Sequence, residues 1–116
     1  MTRVLIVDDE DDARGWLSRV FREMGFETFD ARDGYEALQI LIENPSIDLL
    51  FADVRLPVMK GTALAAASRK LSPNLKVILA TGYDPAGVEI GDMPLLLKPF
   101  QPAKLQDTVR QVVGAA

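Results

Sequence analysis

The sequence predicts an α/β domain built on a central five-stranded parallel sheet, and three observations carry that prediction. Short apolar runs recur along the chain, at Val4–Val7 (VLIV), Leu49–Ala52 (LLFA), Val77–Ala80 (VILA) and Leu95–Leu97 (LLL). Stretches with the apolar spacing of helices lie between them, so strand and helix signals alternate. No linker, low-complexity tract or internal repeat interrupts the 116 residues, so 1–116 reads as one domain, long enough to bury a single core.

Each apolar run is too short for a helix of usual length and shows no alternation, which suits strands buried on both faces of a parallel sheet. Phe26–Asp30 (FETFD) alternates instead, as a half-exposed edge strand does. The first helix is carried by Ala13, Trp16, Leu17, Val20, Phe21 and Met24, an apolar stripe that ends at Gly25. Gly34–Glu43 places Ala37, Leu38 and Leu41 on one face before Asn44–Pro45 breaks the pattern. Thr62–Leu71 is an alanine-rich helix ending near Ser72–Pro73. Between Thr81 and Lys98 the chain is crowded by Gly82, Pro85, Gly87, Gly91 and Pro94. Glycine and proline cost a helix interior roughly 1 and 3 kcal/mol against alanine, so a fourth helix there should be short or irregular. The last helix starts at Pro102 and buries Leu105, Val109, Val112 and Val113. Right-handed crossovers leave few topologies for this alternation, and the flavodoxin-like (βα)5 order 2-1-3-4-5 leads them.

Composition then narrows the chemistry. The chain has no cysteine, which excludes disulfides, thiol nucleophiles and zinc–thiolate sites. It has no histidine, which removes Ser–His triads, imidazole ligands and the usual general base. A net charge of −4 argues against nucleic acid as a partner. No apolar stretch approaches the roughly 18 residues of a membrane span and no leader opens the chain, so no membrane partner is expected and a cytoplasmic location is the default.

In open parallel sheets, ligands bind beyond the carboxyl ends of the strands, at the switch point beside strand 1. Strand 1 runs into Asp8–Asp9, strand 3 into Asp53, strand 4 into Thr81–Gly82 and strand 5 into Lys98–Pro99. Singly, each has a plain explanation: Asp8–Asp12 suit the first turn of a helix, Asp53 a turn, Thr81 a cap, Lys98 a solvated surface. Their convergence on one rim points to chemistry instead. Three carboxylates without a cation repel and raise one another's pKa; a hard cation with oxygen ligands resolves this, and Mg2+ suits a few carboxylates, waters and phosphate oxygens. A lysine beside a phosphate supplies a point charge, and a hydroxyl can donate to a phosphoryl oxygen. With histidine and cysteine absent, an aspartate is the plausible nucleophile toward phosphorus, and Asp53, alone at the end of the central strand, is best placed.

The pieces VLIVDDE, ARDGYEAL, IDLLFADVRLPVMKG, VILATGY and LLLKPF, in this order and spacing, resemble the receiver domain of two-component response regulators, the CheY-like family. The resemblance spans essentially the whole chain. It implies that Asp53 is the phosphoacceptor, that Asp9 ligates Mg2+ directly and Asp8 mostly through water, and that the backbone carbonyl of Arg55 completes the protein ligands. Thr81 would contact the phosphoryl group, Gly82 would keep its approach open, and Lys98 would pair with a phosphoryl oxygen. Lys98–Pro99 is similar to a bond that is cis in the family; without the resemblance, a turn proline suffices. The implied partners are a sensor histidine kinase or histidine phosphotransfer protein as donor and a downstream protein as target. The chain would then be a phosphorylatable signalling module rather than a turnover enzyme.

Several positions depart from the family's pattern. Leu95 stands where many receivers carry an aromatic switch, so that switch is not carried over; Tyr83 is either a substitute for it or a loop tyrosine. ATGY (Ala80–Tyr83) is similar to a subset of receivers without the aromatic switch, found in stand-alone regulators and hybrid kinases. The stretch from Thr81 to Lys98 is shorter than usual, which remodels the face that many receivers present to partners. Lys60 stands before Gly61 where an acid is common and reads as a solvated turn residue. Arg55 and Tyr83 flank the expected site, and a bulky pair there is expected to slow self-dephosphorylation. Two alternatives remain open on the residues: a pseudo-receiver that binds a partner without phosphorylation, and a small phosphatase of the haloacid-dehalogenase type. The second usually has an Asp two residues after its nucleophile, where this chain has Arg55.

Overall fold

The computed structural model describes residues 2–82 and 93–114. Five strands, β1 (Arg3–Val7), β2 (Glu27–Ala31), β3 (Leu49–Asp53), β4 (Lys76–Thr81) and β5 (Leu95–Leu97), form one sheet. Its order is β2-β1-β3-β4-β5 and every pairing is parallel, the flavodoxin-like arrangement that the alternation predicts. Among the described residues there are four helices, α1 (Asp11–Glu23), α2 (Gly34–Glu43), α3 (Gly61–Leu71) and α4 (Pro102–Val113). The irregular fourth helix expected before Lys98, with Tyr83, falls largely on residues 83–92, outside the described residues.

The unbroken apolar character of the inner strands has a direct structural cause: both faces of the sheet are covered. Leu5, Val7, Leu50, Ala52, Val77 and Leu79 point to one side, where Ala37 and Leu41 of α2 and Leu64 and Ala65 of α3 close the layer. Val4, Ile6, Leu49, Phe51, Ile78 and Leu96 point to the other, under Leu17, Val20 and Phe21 of α1 and Leu105 and Val109 of α4. Successive residues of a strand face opposite sides, so both must be apolar wherever both are covered. β2 is at the sheet edge and is only partly buried, as its mixed sequence ETFDA requires. In α4, Leu105 and Val109 are fully buried, whereas Val112 and Val113 pack at the margin of the same cluster.

Rings run through the second layer in one chain of contacts. Phe26 meets Phe21 at 5.3 Å between centroids, Phe21 meets Phe51 at 5.8 Å, Phe51 meets Phe100 at 6.2 Å, and Phe100 meets Trp16 at 6.0 Å. These tilted and edge-on geometries are those that aromatic quadrupoles favour. Phe100 thereby anchors the chain just after Lys98 to the middle of the sheet.

Three glycines separate backbone need from mere tolerance. Gly25, past the end of α1, has φ 92° and donates its N–H to the Arg22 carbonyl, a left-handed stop that favours glycine. Gly61 opens α3 against the end of β3, where an added Cβ would lie 2.2 Å from the Asp53 carbonyl oxygen. Gly15 is the opposite case: it is exposed inside α1, and among the described residues nothing lies within 4 Å of such a Cβ. Gly61→Ala should therefore destabilise the fold by about 1–3 kcal/mol through overpacking, and Gly15→Ala should stabilise it by about 0.5–1 kcal/mol. Urea denaturation of the two variants beside the native chain reads both signs.

Candidate functional site

Strand register brings the acids together. Val7 of β1 pairs with Ala52 of β3, so the next step of the two strands sets Asp8 beside Asp53. Asp53 pairs with Ala80, and Thr81 pairs with Leu97, which places Lys98 one step further along the same rim. Asp8, Asp9 and Asp53 each present a carboxylate oxygen, and these three atoms lie within 4.8 Å of one another. Their surroundings differ: Asp8 is buried, Asp53 half-buried and Asp9 exposed.

Lys98 holds the two deeper acids. Its ammonium donates to Asp53 Oδ2 at 2.9 Å and to Asp8 Oδ2 at 3.3 Å. The second oxygens are engaged by the backbone, Asp8 Oδ1 accepting from the Glu10 N–H at 2.9 Å and Asp53 Oδ1 from the Arg55 N–H at 3.3 Å. Burial works to lower the Lys98 pKa, but hydrogen bonding and charge attraction to Asp53, followed by those to Asp8, outweigh it, and the pKa stands raised. Lys98–Pro99 is cis, as the resemblance implies. Thr81 is buried at the end of β4, and its carbonyl accepts from the Lys98 N–H at 2.8 Å. A Cβ at Gly82 would lie 4.0 Å from that of Lys98, an ordinary contact, so no close approach among the described residues demands glycine there.

Beyond Asp53 the chain folds back tightly. The Val54 carbonyl accepts from the Gly61 N–H at 2.9 Å, and the Pro57 carbonyl accepts from the Met59 N–H at 2.7 Å. Val58, the middle of that three-residue turn, has φ 71° and is exposed, an uncommon state for a β-branched residue. Lys60 is exposed just before α3, as its solvated-turn reading expects, and Arg55 is exposed beside Asp53. Leu95, at the start of β5, is half-buried against the α2–α3 layer, so this position serves packing.

Five acids follow β1, and they divide. Asp8 and Asp9 belong to the rim, while Asp11 and Asp12 lie in the first turn of α1, where acids suit the helix dipole. A crevice of about 520 Å3 opens from Asp8 and Lys98 between Ala13, Trp16 and Leu17 of α1 and Pro99–Phe100. A larger hollow of about 850 Å3 lies at the opposite end of the sheet, among Thr2, Gly25, Asp48 and Gly114, and contains none of the rim residues. The crevice was not evident from spacing alone, because it depends on how Phe100 docks on Phe51. The close approach of Gly61 also escapes the sequence, although a glycine opening a helix eight residues after Asp53 is its trace.

The family model described as the response regulator receiver domain matches residues 4–110. This chain belongs to that family. Sporulation initiation phosphotransferase F of Bacillus subtilis is 32% identical over 115 residues, covering 94% of this chain and 91% of that protein. Sensor kinase CckA of Brucella abortus is 34% identical over 119 residues, which is 95% of this chain but 12% of the kinase. The chain spans about half of the ArcA and PrrA regulators that it also matches. Among solved structures, response regulator protein TrrA from Thermotoga maritima, in complex with Mg2+-BeF, superposes with a TM-score of 0.85 at 30% identity, over 96% of this chain and 98% of that one.

The raised Lys98 pKa sets a pH dependence. A lysine whose pKa is higher folded than unfolded stabilises the fold below its unfolded pKa and loses that contribution as pH rises through the folded value. The stability difference between the native chain and Lys98→Met in metal-free buffer should thus be flat through neutral pH and shrink above the ordinary lysine range, about 10.4. Urea midpoints from pH 7 to 11 measure it.

Proposed function

We propose that this receiver accepts a phosphoryl group on Asp53 from a phosphohistidine of a sensor kinase or histidine phosphotransfer protein, and signals by protein–protein contact. The observation that carries this reading is the Lys98 ammonium seated between Asp53 and Asp8 with Asp9 in reach. Three carboxylates against one ammonium leave a formal surplus of two negative charges, which suits one divalent cation with oxygen ligands. Asp8, Asp9, Asp53 and the Arg55 carbonyl would hold Mg2+ as that cation, and when bound it would supply neutralising charge for a phosphoryl group.

In the transfer, an Asp53 carboxylate oxygen bonds to phosphorus as the phosphorus–nitrogen bond of the donor breaks, and the electron pair of that bond returns to the imidazole nitrogen. Lys98 is placed to stay with the charge as it spreads onto the phosphoryl oxygens, and the Thr81 hydroxyl is assigned to receive one of them. These 116 residues contain no histidine, which fits a donor histidine outside them. Relatives named as a sensor kinase and a phosphotransferase support a place in phosphoryl transfer. The crevice along Trp16 and Phe100 opens at Asp8 and Lys98, beside the rim that carries Asp53. We read the chain as a signalling module, not a turnover enzyme on a small substrate, and as cytoplasmic. Among the described residues no helix is long and apolar enough to cross a membrane.

The pseudo-receiver reading would leave the full acid, hydroxyl and lysine set without use. The phosphatase reading lacks a second acid where Arg55 stands. With acetyl phosphate and Mg2+, intact-mass measurement should show one added phosphoryl group on the native chain and none on Asp53→Asn. No label on the native chain would support the pseudo-receiver, and steady release from a phosphate ester would support the phosphatase. Arg55→Ala should shorten the lifetime of the label by several-fold, measured as the decay of the phosphorylated mass after donor removal; an unchanged or longer lifetime removes Arg55 as a shield. The Tyr83 half of that expectation lies outside the described residues.

A further inference from the structure

The acids of the rim are not held equally. Asp8 and Asp53 each have both carboxylate oxygens engaged, as described above. Asp9 is exposed, and among the described residues no hydrogen bond reaches its carboxylate. Its position therefore depends on the backbone that carries it, the peptide between Asp8 and Asp9. The Asp8 N–H is tied to the Ala31 carbonyl at 3.2 Å. The Asp8 carbonyl, which lies past the last ladder residue of β1, is taken by a side chain: Arg14 Nη1 donates to it at 2.8 Å.

Arg14 is an unusual occupant of its position. It is the fourth residue of α1, where the helix dipole disfavours a cation, yet its side chain is only 14% exposed. Its guanidinium is spread over three partners: the Asp8 carbonyl, Asp11 Oδ1 at 2.5 Å and Asp30 Oδ2 of β2 at 3.7 Å. A planar fork can join such points at once, and a lysine cannot. The guanidinium thus ties the peptide entering Asp9 to the first turn of α1 and to the end of β2.

We propose that Arg14 is a positioning residue for the cation site, setting divalent-cation affinity by fixing the Asp8–Asp9 peptide. This rests on the reading of Asp8, Asp9 and Asp53 as that site. Partners that orient metal ligands from behind change affinity by about 10–100-fold when removed. Charge alone predicts the reverse sign, because deleting a cation beside the site should strengthen Mg2+ binding.

The test titrates MgCl2 into the full chain and into Arg14→Ala and Arg14→Lys, read by calorimetry and by the emission of the single tryptophan, Trp16, which lines the crevice with Asp8 and Lys98. Thermal unfolding in EDTA reports on folding alone. Arg14→Ala should weaken the Mg2+ Kd by about 10-fold or more, and Arg14→Lys, which keeps the charge, should also weaken it. A Kd in Arg14→Ala equal to or tighter than native overturns the positioning role and leaves the cation site intact. If Arg14→Ala does not fold, Arg14→Lys decides alone: a native Kd there overturns the proposal. A native chain that binds no Mg2+ overturns the cation site and the role of Arg14 together.

Discussion

Parallel pairing sends all five strands in one direction, so whatever follows them meets on one rim. Here that rim collects the Asp8, Asp9 and Asp53 carboxylates within 4.8 Å, and like charges at that spacing resist being brought together. The Lys98 ammonium, bridging Asp53 and Asp8, is the counter-charge the chain itself provides. It reaches them only because β5 ends beside β4 at the right height and Phe100 docks on Phe51 immediately after the cis proline. The site and the hydrophobic layer beneath it are therefore one construction. A shift of one residue in the register would reverse the facing of every strand residue and scatter the acids.

The same constraint explains why the surroundings of the rim are so fully occupied. Gly61 lets α3 start against the Asp53 carbonyl, Val54 and Pro57 accept the bonds that fold the loop back, and Arg14 closes the β1 side. The acids gain definition from backbone donors as well as from charge. Asp9 is the exception, exposed and unbonded among the described residues, and it is the acid with most freedom to meet an ion from solvent.

Much of this was legible in the sequence because it depends on local pattern. Continuous apolar runs announced strands covered on both faces, and the stripe from Ala13 to Met24 announced α1. The ends came within a residue or so, since Gly25, Asn44 and Pro102 punctuate the chain wherever the backbone must change course. The rim residues were also legible, because in a parallel sheet the position after each strand is a fixed place in space. Arg14, Gly61 and the crevice along Trp16 were not. Each depends on atoms of separate elements meeting at a few ångströms, and no spacing rule encodes a guanidinium reaching both the carbonyl that follows β1 and a carboxylate on β2.

By itself, the sequence determined the alternation of elements, the topology and the set of acid, hydroxyl and lysine at the strand ends, because periodicity and strand direction suffice for these. Tertiary structure alone decided which carboxylates share the ammonium, that Asp8 is buried while Asp9 stays in solvent, and that Arg14 turns inward to the peptide between them. Those depend on register and on the docking of Phe100 and α1, where burial and charge are settled by neighbours that the chain brings from elsewhere.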